Sequence, residues 1–247
     1  MLQSHGITDV GCVRSKNEDR ILLEEPLGLF VISDGMGGHT HGEMAAELAI
    51  STIQHYIESS RDGLEVTWPF GYNFQLSIDA NRLVTAIQLA NWQVWKKTEK
   101  SPEYAGMGTT VAAVLVSGSK ITVGNVGDTR VYLWQNGSLK QLSIDDTWVN
   151  AISGGDGPTI NVPRNLLTQA AGSKDLVDVH TMEAEFGKGD VVLICSDGLH
   201  SLVSDQDIVA SISKGGPLSS TAGDLLRAAK TAGGEDNVSI ILFALEE

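Results

Sequence analysis

The spacing of apolar residues predicts short strands at the start of the chain and two long helices after them. Apolar runs around 6–10, 20–24 and 29–33 are separated by Gly, Asn and Pro, and we expect them to form an opening antiparallel meander. From 42 to about 59, and from about 74 to 100, apolar residues recur every three or four positions, which is typical of one helix face. Both helices are therefore expected to cover a sheet.

Strand patterns return after residue 108. Segments 109–117, 120–126 and 129–134 are rich in Val and Thr or alternate, and the last runs into Gln135-Asn136-Gly137, where Asn-Gly is typical of a hairpin turn. Segment 143–172 has few apolar runs, which favours a mobile loop or small subdomain over core structure.

The remaining pattern decides the fold class. Further strands are predicted at 177–185, 190–196 and 238–245, with helices at about 204–213 and 218–232. Since strands and helices do not alternate steadily, antiparallel sheet covered by helices is favoured over a doubly wound parallel fold. The chain has no internal repeat and only 6 Pro, so a single domain over its 247 residues is predicted, with 143–172 as a flap-like subdomain.

Composition excludes several functions. The chain has 17 Lys and Arg against 31 Asp and Glu, a net charge of −14, which disfavours a nucleic-acid or anionic-membrane surface. No apolar run approaches the roughly 18 residues that cross a bilayer. The first residues lack the basic start and apolar stretch of a signal peptide, so a cytoplasmic protein is expected. Two cysteines cannot supply a disulfide framework.

Five aspartates stand apart from the other acidic residues because each lies at the end of an apolar strand or just before one. Asp34 and Asp197 both follow a strand in the tripeptide Ser-Asp-Gly, Asp128 follows a third strand, and Asp19 and Asp236 precede strands. A strand holds a carboxylate rigidly, and the Gly lets the backbone turn and approach a ligand closely. Any one of them alone could be an ordinary turn residue.

If these carboxylates converge, cations must offset their repulsion. The ligands are oxygens and no His/Cys spacing for zinc is present, so Mg²⁺ or Mn²⁺ is favoured. A pocket with two such ions suits hydrolysis of a phosphate ester, because the ions make a water nucleophilic and neutralise the phosphoryl oxygens. Arg14 could then grip the phosphate through bidentate hydrogen bonds.

A set of motifs resembles, in order and spacing, those of the metal-dependent protein phosphatases, the type 2C Ser/Thr phosphatases, and most of all their compact bacterial members. The motifs are RSKNED (14–19), SDGMGGHTHGE (33–43), MGTT (107–110), NVGDTRVY (125–132), CSDGL (195–199) and GGEDNVS (233–239). The resemblance spans about 6–245. It implies an α+β fold, a four-layer α-β-β-α sandwich of two antiparallel sheets flanked by helices.

The resemblance also implies a dinuclear Mn²⁺ or Mg²⁺ centre. Asp34 would bridge the two ions, the Gly35 carbonyl would bind the first, and Asp197 and Asp236 would bind the second. Asp128, with Asp197, matches a third-metal site of bacterial members.

By the same resemblance, Asp19 would orient metal-bound water and Arg14 would hold the substrate phosphate. The implied reaction is direct attack of a metal-activated water on phosphoserine or phosphothreonine, without a phosphoenzyme. Expected partners are proteins phosphorylated on Ser or Thr and a cognate Ser/Thr kinase, and the chain is expected to be a monomer. The metal-free pocket is expected to bind phosphate poorly.

Departures from the family pattern lie mainly in the segment equivalent to the flap. Asp145-Asp146-Thr147 stands for the usual Asp-His-Ser/Thr, residues 161–165 read Asn-Val-Pro-Arg-Asn for His-Pro-x-Arg-Asn, and Gln169 replaces a common Arg. The flap is also shortened around 153–157. These changes bear on substrate selection and on the third-metal site, and they leave the ligands of the two ions intact.

The general acid is not assigned by the motifs. Met36 occupies the place of a His in eukaryotic members, and the nearby His39 and His41 are expected to be loop residues.

Two other functions compete with this one. A non-catalytic regulatory module could keep the fold and bind a partner through its altered flap, but such relatives lose metal ligands and none is lost here. A metal-dependent nuclease is disfavoured because no Lys/Arg stripe could follow a polyphosphate backbone.

Overall fold

The described residues form two five-stranded antiparallel sheets that stack face to face. The structure is a computed structural model that describes residues 1–37, 41–61, 66–153 and 166–246. The strands are, in chain order, β1 (Leu2–Asp9), β2 (Arg20–Glu24), β3 (Leu29–Ser33), β4 (Gly35–Met36), β5 (Gly108–Thr109), β6 (Val111–Ser117), β7 (Lys120–Val126), β8 (Arg130–Gln135), β9 (Ser138–Gln141), β10 (His180–Glu185), β11 (Val191–Cys195) and β12 (Val238–Leu245). The first sheet has the order β1-β12-β11-β8-β9 and the second β10-β7-β6-β3-β2, with β4 and β5 as a small separate pair.

Helices cover the outer face of each sheet, which gives the four layers of an α-β-β-α sandwich. The helices are α1 (Gly42–Arg61), α2 (Ile78–Lys100), α3 (Trp148–Ser153), α4 (Asp197–His200), α5 (Asp205–Ser213) and α6 (Leu218–Thr231). α1 and α2 pack on the second sheet, and α5 and α6 pack on the first. None of the helices in the described ranges is long and apolar enough to cross a membrane.

The side chains of β3 alternate between two hydrophobic cores, one on each face of its sheet. Phe30 and Ile32 point into the core between the sheets, where the Phe30 ring stacks on Phe243 with 4.2 Å between centroids. Leu29 and Val31 point the other way, into the core beneath α1 and α2. Every residue of β3 is buried, so this strand holds the residue that follows it, Asp34, on a rigid base.

The predicted opening meander is wrong for its first strand. β2 pairs with β3 as expected, but β1 pairs along its whole length with β12, from Leu2 opposite Leu245 to Asp9 opposite Val238. β1 therefore belongs to the sheet facing β2: a Cβ placed on Gly6 would lie 2.6 Å from Leu23 Cδ1.

Two local features also differ from expectation. α2 begins at Ile78 and not near 74, because the Ser77 side chain caps it by accepting a hydrogen bond from the Ala80 amide at 3.1 Å. The short helix α4 and the pair β4–β5 were not predicted, since segments of two to four residues carry no readable period.

Candidate metal centre

The predicted ligands meet at one end of the sandwich, where strands of both sheets finish. Asp34, Asp128, Asp197 and Asp236 line a single cavity of about 720 Å³, and Arg14 lies on its wall. Asp34 follows β3 of the second sheet and Asp197 follows β11 of the first, so the cavity spans the junction of the sheets. Of the five aspartates expected to converge from their places at strand ends, four thus line the cavity, and the fifth lies beneath them.

Asp34 is fixed through its backbone. The Thr110 amide donates to the Asp34 carbonyl at 2.8 Å, and the Asp34 amide donates to Thr110 Oγ1 at 3.1 Å. The Thr109 hydroxyl also donates to the Asp34 carbonyl at 2.8 Å. Because both peptide groups are held, the Asp34 carboxylate has little freedom except rotation about its own side chain.

Gly35 is required by the approach of helix α1. A Cβ on Gly35 would lie 2.1 Å from the carbonyl oxygen of Gly42, the first residue of α1, and a Cβ on Gly42 would in turn lie 2.7 Å from the Gly35 carbonyl. Neither contact can be tolerated, since the atoms met are backbone. The two glycines let the start of α1 pack directly beside Asp34.

Asp19 lies beneath the cavity with unsatisfied oxygens. It is 1% exposed, and neither of its carboxylate oxygens, nor Asp197 Oδ1, has a hydrogen-bond partner of normal geometry in the described residues. Burial is the main cause that raises the pKa of Asp19 to about 6, the charge of Asp197 adds to it, and the nearby Ser239 and Ser196 hydroxyls oppose it. Buried carboxylate oxygens without donors indicate that a group other than these protein atoms satisfies them.

The other carboxylates are also under electrostatic strain. Burial, followed by the charges of Asp19 and Asp197, raises the pKa of Asp34 well above its ordinary value. Burial and then Asp197 raise the pKa of Asp128 to about 7, and burial and then Asp236 raise that of Asp197. A divalent cation would remove this repulsion, so the residues fit such an ion.

The side chains that the cavity offers a cation are carboxylates. Among the described residues, no three His, Cys, Asp or Glu side chains are gathered as a complete ligand set for one ion. Four aspartates line the cavity wall. Mg²⁺ is commonly held by one or two carboxylates with several waters, whereas a structural zinc site needs four close protein ligands.

Arg14 is paired with one of the predicted ligands. Its Nη2 donates to Asp236 Oδ2 at 2.7 Å, and 54% of the Arg14 side chain is exposed. The segment that carries Arg14 is held by Asn237, whose Nδ2 donates to the carbonyls of Val10 and Lys16. The structure therefore places a half-exposed guanidinium on a clamped backbone at the cavity wall.

A second cavity of about 550 Å³ adjoins the first, and Asp128, Asp197 and Asp236 line both. The His200 Nε2 donates to the Asp128 carbonyl at 2.9 Å. Burial, and after it the charge of Arg130, lowers the pKa of His200 to about 4, so at neutral pH its ring is uncharged. The neutral ring is a donor to the backbone and not a counter-ion for the carboxylates.

The candidates for a general acid are not brought together with the ligands. Met36 lines the cavity, whereas His41 packs edge-on against Tyr104 with 5.0 Å between ring centroids. His39 lies outside the described residues, as do segment 161–165 and all but the first residue of the predicted loop at 153–157.

Two of the family departures contact each other. Gln169 Nε2 donates to Asp146 Oδ2 at 2.9 Å, and His180 Nε2 lies 2.8 Å from Asp146 Oδ1. Asp146 and Gln169 are both buried. The two changes therefore form one hydrogen-bonded unit.

Four further residues at or near the site were not predicted: Thr110, Asn237, His200 and His180. Thr110 and Asn237 stand inside the quoted motifs, next to or near a predicted ligand, which is the signal that could have found them. His200 follows CSDGL directly. No local pattern marks His180, whose partner lies 34 residues away.

Comparisons with known proteins agree with this geometry. The family model described as "Protein phosphatase 2C" matches residues 14–231. The serine/threonine phosphatase stp of Listeria welshimeri is 32% identical, over 95% of this chain and 92% of that protein.

Solved structures are similar over the whole chain. The crystal structure of the Mycobacterium tuberculosis serine/threonine phosphatase PstP/Ppp has a TM-score of 0.85 and 30% identity, covering 100% of this chain and 99% of that one. The catalytic domain of PstP in complex with two manganese ions has a TM-score of 0.82 and 30% identity, with the same coverage of 100% and 99%.

Proposed function

Because this chain belongs to the protein phosphatase 2C family, we propose that it removes phosphate from phosphoserine and phosphothreonine in proteins. The observation that carries the proposal is the cavity in which Asp34, Asp128, Asp197 and Asp236 converge beside Arg14. The unsatisfied oxygens of Asp19 and Asp197 support a cation in the same place.

Asp34, the Gly35 carbonyl, Asp197 and Asp236 would hold two Mn²⁺ or Mg²⁺ ions. Asp128, together with Asp197, would hold a third. Bound there, the ions would supply Lewis acidity, lowering the pKa of water and neutralising phosphoryl oxygens. The two manganese ions in the PstP structure support the choice of metal.

The protein's own residues would bind and orient the reactants. Arg14, released from Asp236 once cations neutralise that carboxylate, would donate two parallel hydrogen bonds to the phosphate. Asp19 would accept hydrogen bonds from water at the cavity floor, since neither of its oxygens has a hydrogen-bond partner of normal geometry among the described residues. Such orientation is worth several kcal/mol when the attacking atom is aligned.

The proposed reaction is a direct hydrolysis. The water oxygen forms a bond to phosphorus as the bond to the seryl or threonyl oxygen breaks, which yields inorganic phosphate and a free hydroxyl, with no phosphoenzyme. The attacking water gives up a proton and the leaving oxygen takes one up, so protons balance. The substrate must be made by a Ser/Thr kinase, which we propose as the opposing enzyme.

The test is Mn²⁺-dependent hydrolysis of p-nitrophenyl phosphate and of a phosphothreonine peptide. The double variant Asp34→Asn/Asp197→Asn is expected to lose about 4 kcal/mol of transition-state stabilisation, a rate about 10³-fold lower. Asp175→Asn removes an exposed carboxylate outside the cavity and should leave the rate unchanged. Equal turnover by the double variant and the unaltered protein would reject the proposal.

Arg14 has its own test. Arg14→Lys keeps the charge but not the planar fork, so the KM for the phosphopeptide should rise while the need for Mn²⁺ is retained. An unchanged KM would exclude Arg14 as the phosphate ligand.

A further inference from the structure

A buried carboxylate outside the cavity is the centre of a hydrogen-bond cluster that the proposed reaction does not use. Asp146 is 8% exposed. Its Oδ2 accepts hydrogen bonds from the Gly127 amide and from Gln169 Nε2, both at 2.9 Å, and its Oδ1 lies 2.8 Å from His180 Nε2. The three partners come from separate parts of the chain, so Asp146 ties three segments together.

Asp146 and Gly127 are joined by two hydrogen bonds. Besides the side-chain bond, the Asp146 amide donates to the Gly127 carbonyl at 3.0 Å, so both peptide groups of Gly127 are held by one residue. On its other side Gly127 touches Thr110: a Cβ on Gly127 would lie 2.7 Å from Thr110 Cβ. The φ of Gly127 is 94°, a left-handed conformation that favours Gly. The turn is therefore clamped between Asp146 and Thr110.

The residue that follows this clamped turn is Asp128, which lines both cavities. Neighbouring contacts extend the same clamp. Asn125 Nδ2 donates to the Ile144 carbonyl at 2.7 Å, and Arg130 donates to Asp145 Oδ2 at 2.7 Å. Residues 144–146 are thus hydrogen-bonded to residues 125, 127 and 130, and both Asp145 and Asp146 are buried.

Asp146 also contacts residues 168 and 169, near the C-terminal end of the flap segment 143–172. The Thr168 amide donates to the Asp146 carbonyl at 2.8 Å. Gln169 is fixed in turn, since its Nε2 also donates to the Asp178 carbonyl at 2.7 Å and its Oε1 accepts from the Asp178 amide at 3.0 Å. Any shift of Asp146 would therefore move the turn before Asp128 unless all these bonds were broken.

We propose that Asp146, held by Gln169 and His180, is a positioning residue that presents the Asp128 carboxylate to the cation-binding cavity. The inference rests on the proposed function, because it takes Asp128 to be a ligand of a divalent cation. Residues that orient a ligand from behind typically change metal affinity by about 10- to 100-fold when removed. Asp146 should thus control one ion, the one that Asp128 binds, and not the ions held by Asp34 and Asp236.

A purely structural role would look different. A buried carboxylate with three donors also contributes to stability, and its loss would lower the melting temperature whatever residue stands at 128. A positioning role acts through Asp128, so its effect on metal affinity must vanish when Asp128 is already disabled. A double-mutant cycle separates the two roles.

The experiment is calorimetric Mn²⁺ titration of the full chain for the unaltered protein, Asp146→Ala, Asp128→Asn and the double variant, each checked by thermal melting. Asp146→Ala is expected to weaken the Asp128-dependent ion by about 10-fold or more and to leave the remaining binding unchanged. In the Asp128→Asn background the same substitution should change nothing further. Asp175→Asn is the matched control, an exposed carboxylate whose loss should not alter the titration.

Asp146→Asn keeps the side-chain shape in case Asp146→Ala does not fold. Its neutral amide accepts weaker hydrogen bonds, so a smaller weakening of the same ion is expected. The proposal is overturned if folded Asp146 variants titrate like the unaltered protein, if they weaken metal binding equally in the Asp128→Asn background, or if Asp128→Asn itself leaves the titration unchanged. An unaltered protein that binds no Mn²⁺ would contradict the proposed function itself, a result distinct from these.

Discussion

At the scale of single residues, the cavity depends on backbone groups that come closer than any side chain would allow. Gly35 is the clearest example, because the start of α1 occupies the space where its Cβ would be. The same residue lines the cavity beside Asp34. Packing and ligand geometry are thus set by one small residue.

Gly35→Ala should therefore damage both stability and activity. The added Cβ would meet the Gly42 carbonyl oxygen at 2.1 Å, and relieving that clash requires moving α1 away from β3. We expect a loss of about 1–3 kcal/mol in the free energy of unfolding, measured in urea, together with loss of Mn²⁺-dependent turnover.

Gly223→Ala is the matched control. Gly223 lies inside α6, and no atom stands within 4 Å of the place that an added methyl group would take, so alanine should stabilise the helix by about 0.5–1 kcal/mol. If Gly35→Ala were as stable and as active as Gly223→Ala, the close approach of α1 would not be a requirement.

The buried carboxylates predict how stability depends on pH in the absence of cations. Folding raises the pKa of Asp19 to about 6 and that of Asp128 to about 7, from an ordinary value of 3.8. From about pH 4 to 7 the folded protein therefore holds protons that the unfolded chain has released, and the free energy of unfolding should fall as the pH rises. Thermal melting in the presence of a chelator measures this.

Two comparisons isolate the cause. Asp128→Asn should show a shallower fall over the same range, because one of the groups no longer titrates. Mn²⁺ should raise the melting temperature more at pH 7 than at pH 5, since the ion competes with protons for the carboxylates. The same slope in Asp128→Asn as in the unaltered protein would show that Asp128 keeps its ordinary pKa.

At the scale of elements, the connection between β1 and β2 is held by hydrogen bonds to a residue just before β12. Asn237, which precedes β12, accepts a hydrogen bond from the Glu18 amide at 2.8 Å and donates to two carbonyls of the connection. The connection carries Arg14 and ends with Asp19, the residue before β2. One amide side chain thereby sets the place of both.

Asn237→Ala should release that connection. Three hydrogen bonds to partly buried or exposed backbone groups are lost, so we expect the free energy of unfolding to fall by about 1–3 kcal/mol and kcat/KM for a phosphopeptide to fall with it. Asn136→Gly, in the exposed β8–β9 turn with φ 53°, should change stability by less than about 0.5 kcal/mol. If the two variants were equally stable, the hydrogen bonds of Asn237 would not hold the β1–β2 connection in place.

Much of the site could be predicted at this scale because strand ends are visible in the sequence. The apolar run 29–33 and its following Asp34 indicate a rigid carboxylate without any knowledge of pairing. Pairing itself was not predictable: β1 joins β12 because their side chains fit between the layers, which is a tertiary effect. The contacts of Asp146 were equally hidden, since Gln169 and His180 lie 23 and 34 residues away with no period to link them.

At the scale of the whole molecule, the carboxylates behind the net charge of −14 fall into two groups. Most acidic side chains are solvated, but five aspartates lie in or under one cavity. Their negative charges repel a phosphate dianion that enters the cavity. Salt screens this repulsion only weakly, because the charges lie closer together than the Debye length of about 8–10 Å. We therefore expect this cavity to accept such a ligand only after cations have bound.

Phosphate or vanadate should therefore bind weakly to the chelated protein and far more tightly with Mn²⁺ present. Calorimetric titration at constant ionic strength, with and without Mn²⁺, measures the difference, and sodium chloride in place of Mn²⁺ serves as the control. Equally tight binding in both conditions would show that Arg14 and its surroundings suffice without a cation.

The pairing of β1 with β12 links the order of assembly to activity. The ion pair of Arg14 with Asp236 joins residues 222 positions apart, and it forms only when β12 has docked between β1 and β11. Contacts between such distant residues are slow to form, because a long loop must close first. We expect the final docking of β12 and the onset of catalytic competence to be a single kinetic event, so that a partly folded chain carries no stray phosphatase activity.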